Sequence, residues 1–228
     1  MKTLSFVVPV YNAQDLLDAI VGRIGALKAC AAACGYALVE TIVVDDGGEP
    51  PLTRKWNGEN VVMLRNDPNR GKGFSVKRAA LAAKGEFVLM SDVDESAPLT
   101  EFPKLAAAMA DDAWMVCGQR RGRAGMPVLR KVLARVFALL VRFAGARRVR
   151  DTQCGFKLFR MSAMRPVFEA QKIDRFAFDV ELVARAQRMG GRVCSARIEW
   201  RHGGRPSSLK VFKDGLRMLL DLPRIRFG

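Results

Sequence analysis

The feature that most constrains the fold is a short apolar run that ends in acids. Residues 87–90 are apolar and follow Gly85, which predicts a buried strand. Asp92 and Asp94 come next, one residue apart, so both carboxylates can turn toward one point, where their oxygens suit a hard divalent cation. By itself, an Asp-x-Asp pair is more often a polar loop that caps the next helix. The rest of the chain must decide between these interpretations.

The same pattern of an apolar strand followed by polar residues recurs along the chain. Runs at residues 4–10, 41–44 and 60–64 predict further strands. Apolar residues at helical spacing separate them, including one helix from about Leu16 to Gly35. Strands that alternate with helices predict an α/β fold with a doubly wound, mostly parallel sheet.

Parallel strands place their carboxyl ends at one edge of the sheet, where open α/β sheets bind ligands. Such an edge suits a nucleotide that is held through its base, its ribose and a metal-bridged diphosphate. Neither a complete phosphate-binding loop around Lys72 nor a Gly-x-Gly-x-x-Gly follows a strand, so an ATPase and a dinucleotide oxidoreductase are not supported. The residues expected at this edge are Pro9, Tyr11, Asp45, Asp46, Asp92 and Asp94.

Charge and cysteine usage indicate the surroundings in which the protein works. The 228 residues carry a formal net charge of +15, which predicts a polyanionic partner: nucleic acid, an anionic membrane or a phosphorylated substrate. No apolar run reaches the roughly 18 residues of a membrane span, and a strand begins at the amino terminus without a signal peptide. The five cysteines form no Cys-x-x-Cys pair and indicate free thiols in a reducing cytoplasm.

Two predicted helices are amphipathic and basic. In residues 127–143, Lys131, Arg135 and Arg142 share one stripe opposite apolar residues. Such a helix can lie on a membrane surface or can pack its apolar side on the core. A second helix, at 209–222, has one narrow polar arc and is otherwise apolar. We expect a main domain over residues 1–206 and a basic, membrane-interfacial helical tail over residues 207–228.

Several motifs, in this order and spacing, resemble the family 2 glycosyltransferases that use nucleotide-diphospho-sugars. Within that family they are most similar to the dolichyl- or polyprenyl-phosphate hexosyltransferases, and closest to the dolichyl-phosphate β-glucosyltransferase branch. The resemblance implies a GT-A fold, a mixed and mostly parallel sheet with flanking helices, and covers nearly the whole chain. The motifs are Val7–Asn12, Val44–Gly47, Asn69–Gly73, Asp92–Asp94, Gly118–Arg120 and Asp151–Lys157.

The resemblance assigns residues to the donor side of the site. It implies that Asp92 contacts the nucleotide end and that Asp94 holds Mg²⁺ or Mn²⁺ on the diphosphate, with Asp92 as a further candidate metal ligand. A divalent cation neutralises a leaving diphosphate, which agrees with this role. The residues implied to bind the nucleotide-sugar are Pro9, Tyr11, Asp45, Asp46, Lys72 and Arg205.

On the acceptor side, the resemblance implies that Arg120 and Arg130 bind a lipid phosphate, a task that suits the planar guanidinium. Asp151 matches an acid that is important to the family's site, though not necessarily as a base. A phosphate acceptor is already an anion, so a general base is dispensable. We therefore expect Asp179 and Glu181, which resemble the acids used as base by relatives with hydroxyl acceptors, to have structural roles.

Three positions depart from the family pattern. Ala13 stands where an acid is common, and Ala134 stands where a serine often follows the acceptor arginine. Ser96 replaces a glutamine that is common in mannosyl enzymes, which disfavours a GDP-mannose donor. His202 lies in the same late loop as Arg205 and is expected to be structural.

The implied reaction is an inverting, metal-dependent transfer of a hexose, with UDP-glucose as the expected donor, to a polyprenyl or dolichyl phosphate. The protein would lie on the cytoplasmic face of a membrane, with a homo-oligomer left open. The alternatives within the enzyme class are mannosyl transfer from GDP-mannose and a soluble transferase that extends a saccharide. A nucleic-acid-binding protein is disfavoured because the arginine runs at 120–123 and 147–150 lack a reader motif, and a decayed scaffold because Asp92, Asp94 and Arg120 are intact.

Overall fold

The computed structural model describes residues 1–53, 60–94, 96–120, 136, 138–147, 149–201 and 211–228, with backbone alone at 211–213. Its strands are β1 (Lys2–Val10), β2 (Tyr36–Asp45), β3 (Val61–Arg65), β4 (Phe87–Met90), β5 (Ala113–Arg120), β6 (Lys157–Arg160) and β7 (Arg192–Ile198). Its α-helices are α1 (Gln14–Val21), α2 (Ile24–Ala33), α3 (Lys72–Ala82), α4 (Phe102–Ala108), α5 (Met161–Glu169), α6 (Phe178–Arg188) and α7 (Val211–Phe227). A 3₁₀ turn spans Leu99–Glu101, and residues 138–143 are also helical.

The seven described strands form one sheet in the order β3-β2-β1-β4-β6-β5-β7. All adjacent pairs are parallel except the two pairs made by β6, which runs antiparallel to β4 and to β5. The prediction of a mixed, mostly parallel sheet with flanking helices is confirmed. Because β6 is reversed, its first residue, Lys157, lies at the edge where the other strands end.

Side chains of alternate strand residues enter two apolar cores, one on each face of the sheet. Val7 and Val44 face a core that is covered by α3, α5, α6 and α7. Phe6 and Val43 face a second core, covered by α1, α2 and α4. This alternation follows from the two-residue period of a strand, and burial on both faces explains why the strands read as continuous apolar runs.

The structure differs from the sequence prediction in four elements. The single helix predicted from Leu16 to Gly35 is two helices, because the chain breaks at Gly22 and Arg23, where a glycine weakens the helix. Strand β6 and the helices α4 and α5 were not predicted. The four residues of β6 begin with a lysine and end with an arginine, so they lack the apolar pattern of the other strands.

The two amphipathic segments leave apolar side chains at the surface. Within the helical residues 138–143, Leu139 and Phe143 are 63% and 65% exposed, whereas Val141 is buried. In α7 the inward face joins the core of α6, and the outward face is apolar and exposed. The outward residues on the two segments are Val136, Leu139, Leu140, Phe143, Leu216, Leu219, Leu220 and Phe227.

This exposure bears on the two interpretations of the 127–143 segment. Packing of its apolar side on the core is wrong for Val136, Leu139, Leu140 and Phe143, which face outward. Residues 121–135, and with them most of the basic stripe, lie outside the described residues, as do residues 202–210 and the predicted domain boundary at 206/207. In the part of the chain that is described, no helix has the length and apolar composition needed to cross a membrane.

Candidate active site

The carboxyl ends of three adjacent parallel strands form the centre of the candidate site. Val10 at the end of β1 pairs with Asp45 at the end of β2, and β4 ends at Met90, just before Asp92. Strand β5 ends at Arg120 on the same edge, because it is antiparallel to β6 and β6 begins there. The sheet therefore brings together the acids and the arginine that the sequence predicted for the site.

Asp45 holds the loop that follows β2. Its Oδ1 accepts a hydrogen bond from the Gly48 amide at 2.8 Å, and its Oδ2 accepts one from the Leu52 amide at 3.1 Å. The Arg65 guanidinium, at the end of the adjacent strand β3, also donates to Oδ2. The carboxylate is only 2% exposed, so it shapes the edge by fixing this loop. Its direct contact with a nucleotide stays a prediction.

Asp46 has the corresponding role for the loop before α3. Its Oδ1 accepts from the Asn66 side chain and the Arg70 amide, and its Oδ2 accepts from the Asn69 side chain and the Gly71 amide. These four bonds are 2.8–3.0 Å long. Both oxygens are thus occupied by protein donors, and the four bonds place the start of α3 against the end of β2.

The end of β1 offers one accessible aromatic ring. Tyr11 is 46% exposed, whereas Pro9 is buried within the strand beside Val44. Asn12 adopts the left-handed conformation, with φ of 48°, and its Oδ1 accepts from the Glu49 amide. This turn directs the chain away from the sheet, and Tyr11 is the residue that can stack on a base.

Asp92 forms an ion pair with Lys72, the first residue of α3, at 2.5 Å between Oδ1 and Nζ. Burial would raise the pKa of Asp92, but Lys72, Lys157 and Arg120 together hold it below its ordinary value. Burial would lower the pKa of Lys72, but the Asp92 and Asp179 carboxylates raise it. Both groups are therefore charged at neutral pH. The lysine that the sequence places on the donor side is held against this acid.

Asp92 packs directly on the backbone of Gly155, in the loop before β6. A Cβ added at Gly155 would lie 1.9 Å from Asp92 Oδ2 and 2.2 Å from its carboxyl carbon, distances that no real atoms adopt. The glycine is therefore required by close approach rather than by backbone conformation. The contact joins the acidic end of β4 to the loop at residues 151–156.

Asp94 differs from Asp92 because it is exposed and has no cationic partner among the described residues. Its Oδ1 accepts from the Ser96 amide at 3.0 Å, which orients the carboxylate. Its other oxygen has no donor in the described part of the chain. A free, exposed carboxylate oxygen beside a second acid suits Mg²⁺ or Mn²⁺, since Mg²⁺ in enzymes is held by one or two carboxylates together with substrate phosphates.

The described residues fit such a cation, although they do not form a complete cage. They contain no group of three or more His, Cys, Asp or Glu side chains that could hold a metal ion. Asp94 would supply one ligand and Asp92 a second, through the oxygen that Lys72 does not hold. The remaining ligands would come from a diphosphate and water, as is usual for magnesium.

Asp151 fixes Arg120 through a bidentate pair of hydrogen bonds. The Nε and Nη2 of Arg120 donate to the two carboxylate oxygens at 2.7 Å each, and its backbone amide donates to the same carboxylate at 3.1 Å. The guanidinium also lies over the Trp200 ring, 5.6 Å from its centroid. The side chain remains 33% exposed, so Asp151 orients a cation that is still accessible to an anionic ligand.

Below these groups lies a buried ion pair that the sequence did not indicate. Lys157 is fully buried, and its Nζ donates to Asp179 Oδ1 at 2.6 Å and to the Cys154 carbonyl. Burial raises the pKa of Asp179. The pKa of Lys157 is also raised, because the Asp179 carboxylate and the Cys117 and Cys154 side chains together outweigh burial. A charge at the start of a strand is usually exposed, so the pattern gave no sign of this burial.

The Glu181 carboxylate is held by hydrogen bonds within the protein. Its carboxylate accepts from the backbone amides of Lys172 and Ile173 at 2.9 and 2.8 Å, and from Arg185 one turn later in α6 at 2.7 Å. These bonds hold the connection between α5 and α6. Asp179, in turn, is held by Lys157. Both oxygens of Glu181 and one of Asp179 thus accept hydrogen bonds from the protein, and the structural role of the two acids stays a prediction.

Three predicted residues lie outside the described part of the chain: Arg130, His202 and Arg205. Arg201, just before residues 202–210, donates its amide to the Ser96 carbonyl at 2.7 Å. Gln153, which was assigned no role, has a buried side-chain nitrogen without a hydrogen-bond partner among the described residues. An unpaired buried donor costs about 1–3 kcal/mol and stands out in a loop that otherwise contacts Arg120 and Asp92.

Comparisons with known proteins find relatives over nearly the whole chain. The family model "Glycosyl transferase family 2" matches residues 5–168. The dolichyl-phosphate beta-glucosyltransferase of Dictyostelium discoideum is 31% identical over 245 aligned positions, which cover 98% of this chain and 74% of the relative. The dolichyl-phosphate beta-glucosyltransferase of Mus musculus is 32% identical over 247 positions, which cover 99% and 75%.

A solved structure has the same fold. It is the crystal structure of glucosyl-3-phosphoglycerate synthase from Mycobacterium tuberculosis in complex with Mn²⁺, UDP-glucose and phosphoglyceric acid. The TM-score is 0.66 at 18% identity, and the match covers 99% of this chain and 78% of the other. At this identity the likeness concerns the fold alone.

Proposed function

Since the chain belongs to glycosyl transferase family 2, we propose that it transfers glucose from UDP-glucose to a polyprenyl or dolichyl phosphate at a membrane surface. The chain is a glycosyltransferase, and the proposal concerns its donor, its acceptor and its place of action. The product would be a lipid phosphate that carries a β-linked glucose.

The donor proposal is supported by the relatives and by the strand ends. The curated relatives are named glucosyltransferases, and the solved structure holds UDP-glucose. In this chain, the exposed Tyr11 ring and the loops fixed by Asp45 and Asp46 border the same edge as Asp92. We propose that the base and ribose lie along this edge and that the diphosphate lies toward Asp94.

We propose that Asp94, with Asp92, holds Mg²⁺ or Mn²⁺. When bound, the cation would neutralise charge on the diphosphate of the leaving group. Lys72 contributes a second positive charge next to Asp92. The solved structure with Mn²⁺ supports a divalent ion in proteins of this fold.

The observation that carries the acceptor proposal is the Arg120–Asp151 pair. Asp151 occupies the Nε and Nη2 side of the guanidinium, and the other terminal nitrogen has no hydrogen-bond acceptor among the described residues. An oriented, partly exposed guanidinium on the catalytic edge is suited to bind a phosphate. Because Asp151 acts through Arg120, we propose that it is a positioning residue rather than a base.

The proposed reaction needs no proton transfer from the acceptor. A phosphate oxygen attacks the anomeric carbon of glucose, and the bond from that carbon to the diphosphate breaks with its electron pair. UDP leaves as the new carbon–oxygen bond forms on the opposite face, so the configuration inverts. The occupation of Asp179 and Glu181 by cations supports a mechanism without a general base.

We propose that the outward apolar residues of 138–143 and α7 contact the membrane. Apolar side chains that stay exposed on two basic segments are typical of helices that lie at a lipid interface. The net charge of +15 would add attraction to anionic lipids, which are abundant on cytoplasmic membrane faces. The five free cysteines are compatible with that compartment.

A donor screen tests the proposal. UDP-glucose, GDP-mannose, UDP-GlcNAc and UDP-glucuronate are offered with a short polyprenyl phosphate and Mg²⁺ or Mn²⁺, and the lipid product is separated by chromatography. We expect transfer from UDP-glucose, a loss of at least about 100-fold in Asp94→Asn, and the loss of activity in EDTA. The matched control is Asp111→Asn. Asp111 is an exposed carboxylate two residues before β5 begins, far from the carboxyl end of that strand.

Each contrary result removes a particular part of the proposal. Transfer from GDP-mannose instead would overturn the donor. Transfer to a saccharide, with none to the lipid phosphate, would favour the saccharide-extending activity. Activity that persists in EDTA and in Asp94→Asn would remove the metal.

A further inference from the structure

Lys157 is a fully buried cation in the floor of the active site. It is the first residue of β6 and lies opposite Met90 in β4 and Cys117 in β5. A buried ammonium costs several kcal/mol unless polar partners compensate for the loss of water. The strand partner of Lys157, Met90, comes two residues before Asp92, and a buried charge at this place in the site requires an explanation beyond core packing.

The partners of Lys157 connect two parts of the site. One is Asp179 Oδ1, 2.6 Å away in the first turn of α6. The other is the carbonyl of Cys154, in the loop before β6. One ammonium group thus ties this loop to the first turn of α6.

The loop held by Lys157 carries both halves of the proposed reaction. Asp151, at its start, orients Arg120, the proposed ligand of the acceptor phosphate. Gly155, next to the anchored carbonyl, packs against Asp92 on the donor side. The position of the loop therefore determines how the acceptor-binding cation is placed relative to the donor-binding acid.

From this geometry we propose that Lys157 is a positioning residue, which fixes the 151–155 loop so that the acceptor phosphate and the anomeric carbon are held in register. The inference rests on the proposed function. Misplacement of reacting groups by about 1 Å can cost 100-fold in rate. The nucleotide end of the site, formed by Tyr11 and the loops at Asp45 and Asp46, does not depend on this contact.

The test separates positioning from stability. Lys157→Met removes the charge at similar length, and Lys157→Met with Asp179→Leu removes both charges of the pair. Replacing a buried ion pair by apolar residues is often neutral for stability, whereas removing one partner is not. We expect the single variant to have a lower melting temperature and the double variant to regain it. In both, kcat should fall at least about 100-fold, with the KM for the donor changed less than about threefold.

Two further variants complete the experiment. Lys77→Met is the matched control, because Lys77 likewise donates to the backbone, at the carbonyls of Glu169 and Gln171, but away from the site. It should keep wild-type kcat. Asp179→Asn keeps the ammonium and an acceptor oxygen for it, so we expect a loss of less than about tenfold.

Two results would overturn the inference. One is a folded double variant with wild-type kcat, which would make Lys157 purely structural. The other is a loss in Asp179→Asn as large as in Lys157→Met, which would assign the role to the carboxylate. If neither Lys157 variant folds, Asp179→Asn still tests the inference, because a loss of about 100-fold there would overturn it. If the donor screen finds another sugar or acceptor, the proposed function fails, and the kcat comparison is made with that pair.

Discussion

The close contact between Asp92 and Gly155 restricts which residue can occupy position 155. The carboxylate of Asp92 occupies the space that any side chain at position 155 would need. It cannot easily retreat, because Lys72 holds it at 2.5 Å. The glycine in the Cys-Gly-Phe motif is therefore explained by the acid that faces it.

We predict that Gly155→Ala displaces the Asp92 carboxylate and lowers transfer activity by at least about 100-fold, because the acid leaves its position at the donor. Activity and melting temperature are measured on the same preparation. The control is Gly25→Ala in α2, where an added Cβ meets nothing within 4 Å. That change should leave activity intact and stabilise the fold by about 0.5–1 kcal/mol. Full activity in Gly155→Ala would contradict the close contact.

The residues at the candidate site could be predicted from the sequence better than their hydrogen-bond partners could. Asp92, Asp94 and Arg120 stand at strand ends, and strand ends can be recognised from apolar runs. The pairing of Arg120 with Asp151 joins residues 31 positions apart and depends on tertiary structure. The burial of Lys157 was missed for the same reason, since a charged residue next to a turn is normally solvated.

At the scale of elements, α7 shows two apolar faces with different environments. Met218, Leu222 and Ile225 enter the core beside α6, whereas Leu219 and Leu220 are 41% and 64% exposed. Arg188 of α6 donates to the Ile225 carbonyl and so fixes the end of the helix. The helix is thus docked firmly by one side while its other side remains apolar and open.

We predict that replacing both Leu219 and Leu220 by serine reduces binding to vesicles without lowering the melting temperature, because these side chains contribute little to the core. Co-sedimentation with vesicles that contain anionic lipid measures the first effect. Met218→Ala is the contrasting variant. Its side chain is 7% exposed, so the change should cost about 2–5 kcal/mol of stability and leave vesicle binding of the folded protein unchanged. Undiminished binding of the double serine variant would exclude this face.

Elements with a strong apolar pattern were predicted well, and the others were not. Strands β1, β2 and β4 contain uninterrupted apolar runs at residues 6–10, 42–44 and 87–90, and their predicted order of strand and helix is confirmed. Strand β6 has two apolar residues between two charges, so only its neighbours in the sheet identify it. The break between α1 and α2 is a local effect of Gly22 that apolar spacing alone does not show.

For the whole molecule, the excess of basic residues is the dominant long-range property. There are 38 Lys and Arg against 23 Asp and Glu. Three acids of the site, Asp92, Asp151 and Asp179, each form an ion pair with a lysine or an arginine and so neutralise part of the positive charge. Much of the positive charge that is not paired in the site is at the surface and can attract an anionic membrane.

We predict that the protein sediments with anionic vesicles at low salt and is released as salt increases, because the attraction is screened over about 8 Å at physiological ionic strength. Neutral vesicles of the same size are the control and should bind much less. Equal binding to both vesicle types would leave the apolar face as the sole attachment, and indifference to both would favour a saccharide-extending activity.

The reversed direction of β6 has a consequence for how the site can change over evolution. The donor edge is built from segments that follow β1, β2 and β4, where the chain leaves the sheet. The loop with Asp151 and Gly155 instead precedes β6, so there the chain enters the sheet at this edge. Under the proposed function, the acceptor side therefore combines this loop with Arg120 at the end of β5, and the loop touches the donor side where Gly155 packs on Asp92. Substitutions at the Asp151 end of this loop would then change what receives the sugar, while the nucleotide end keeps its own hydrogen bonds at Asp45 and Asp46, so that one donor would serve different acceptors.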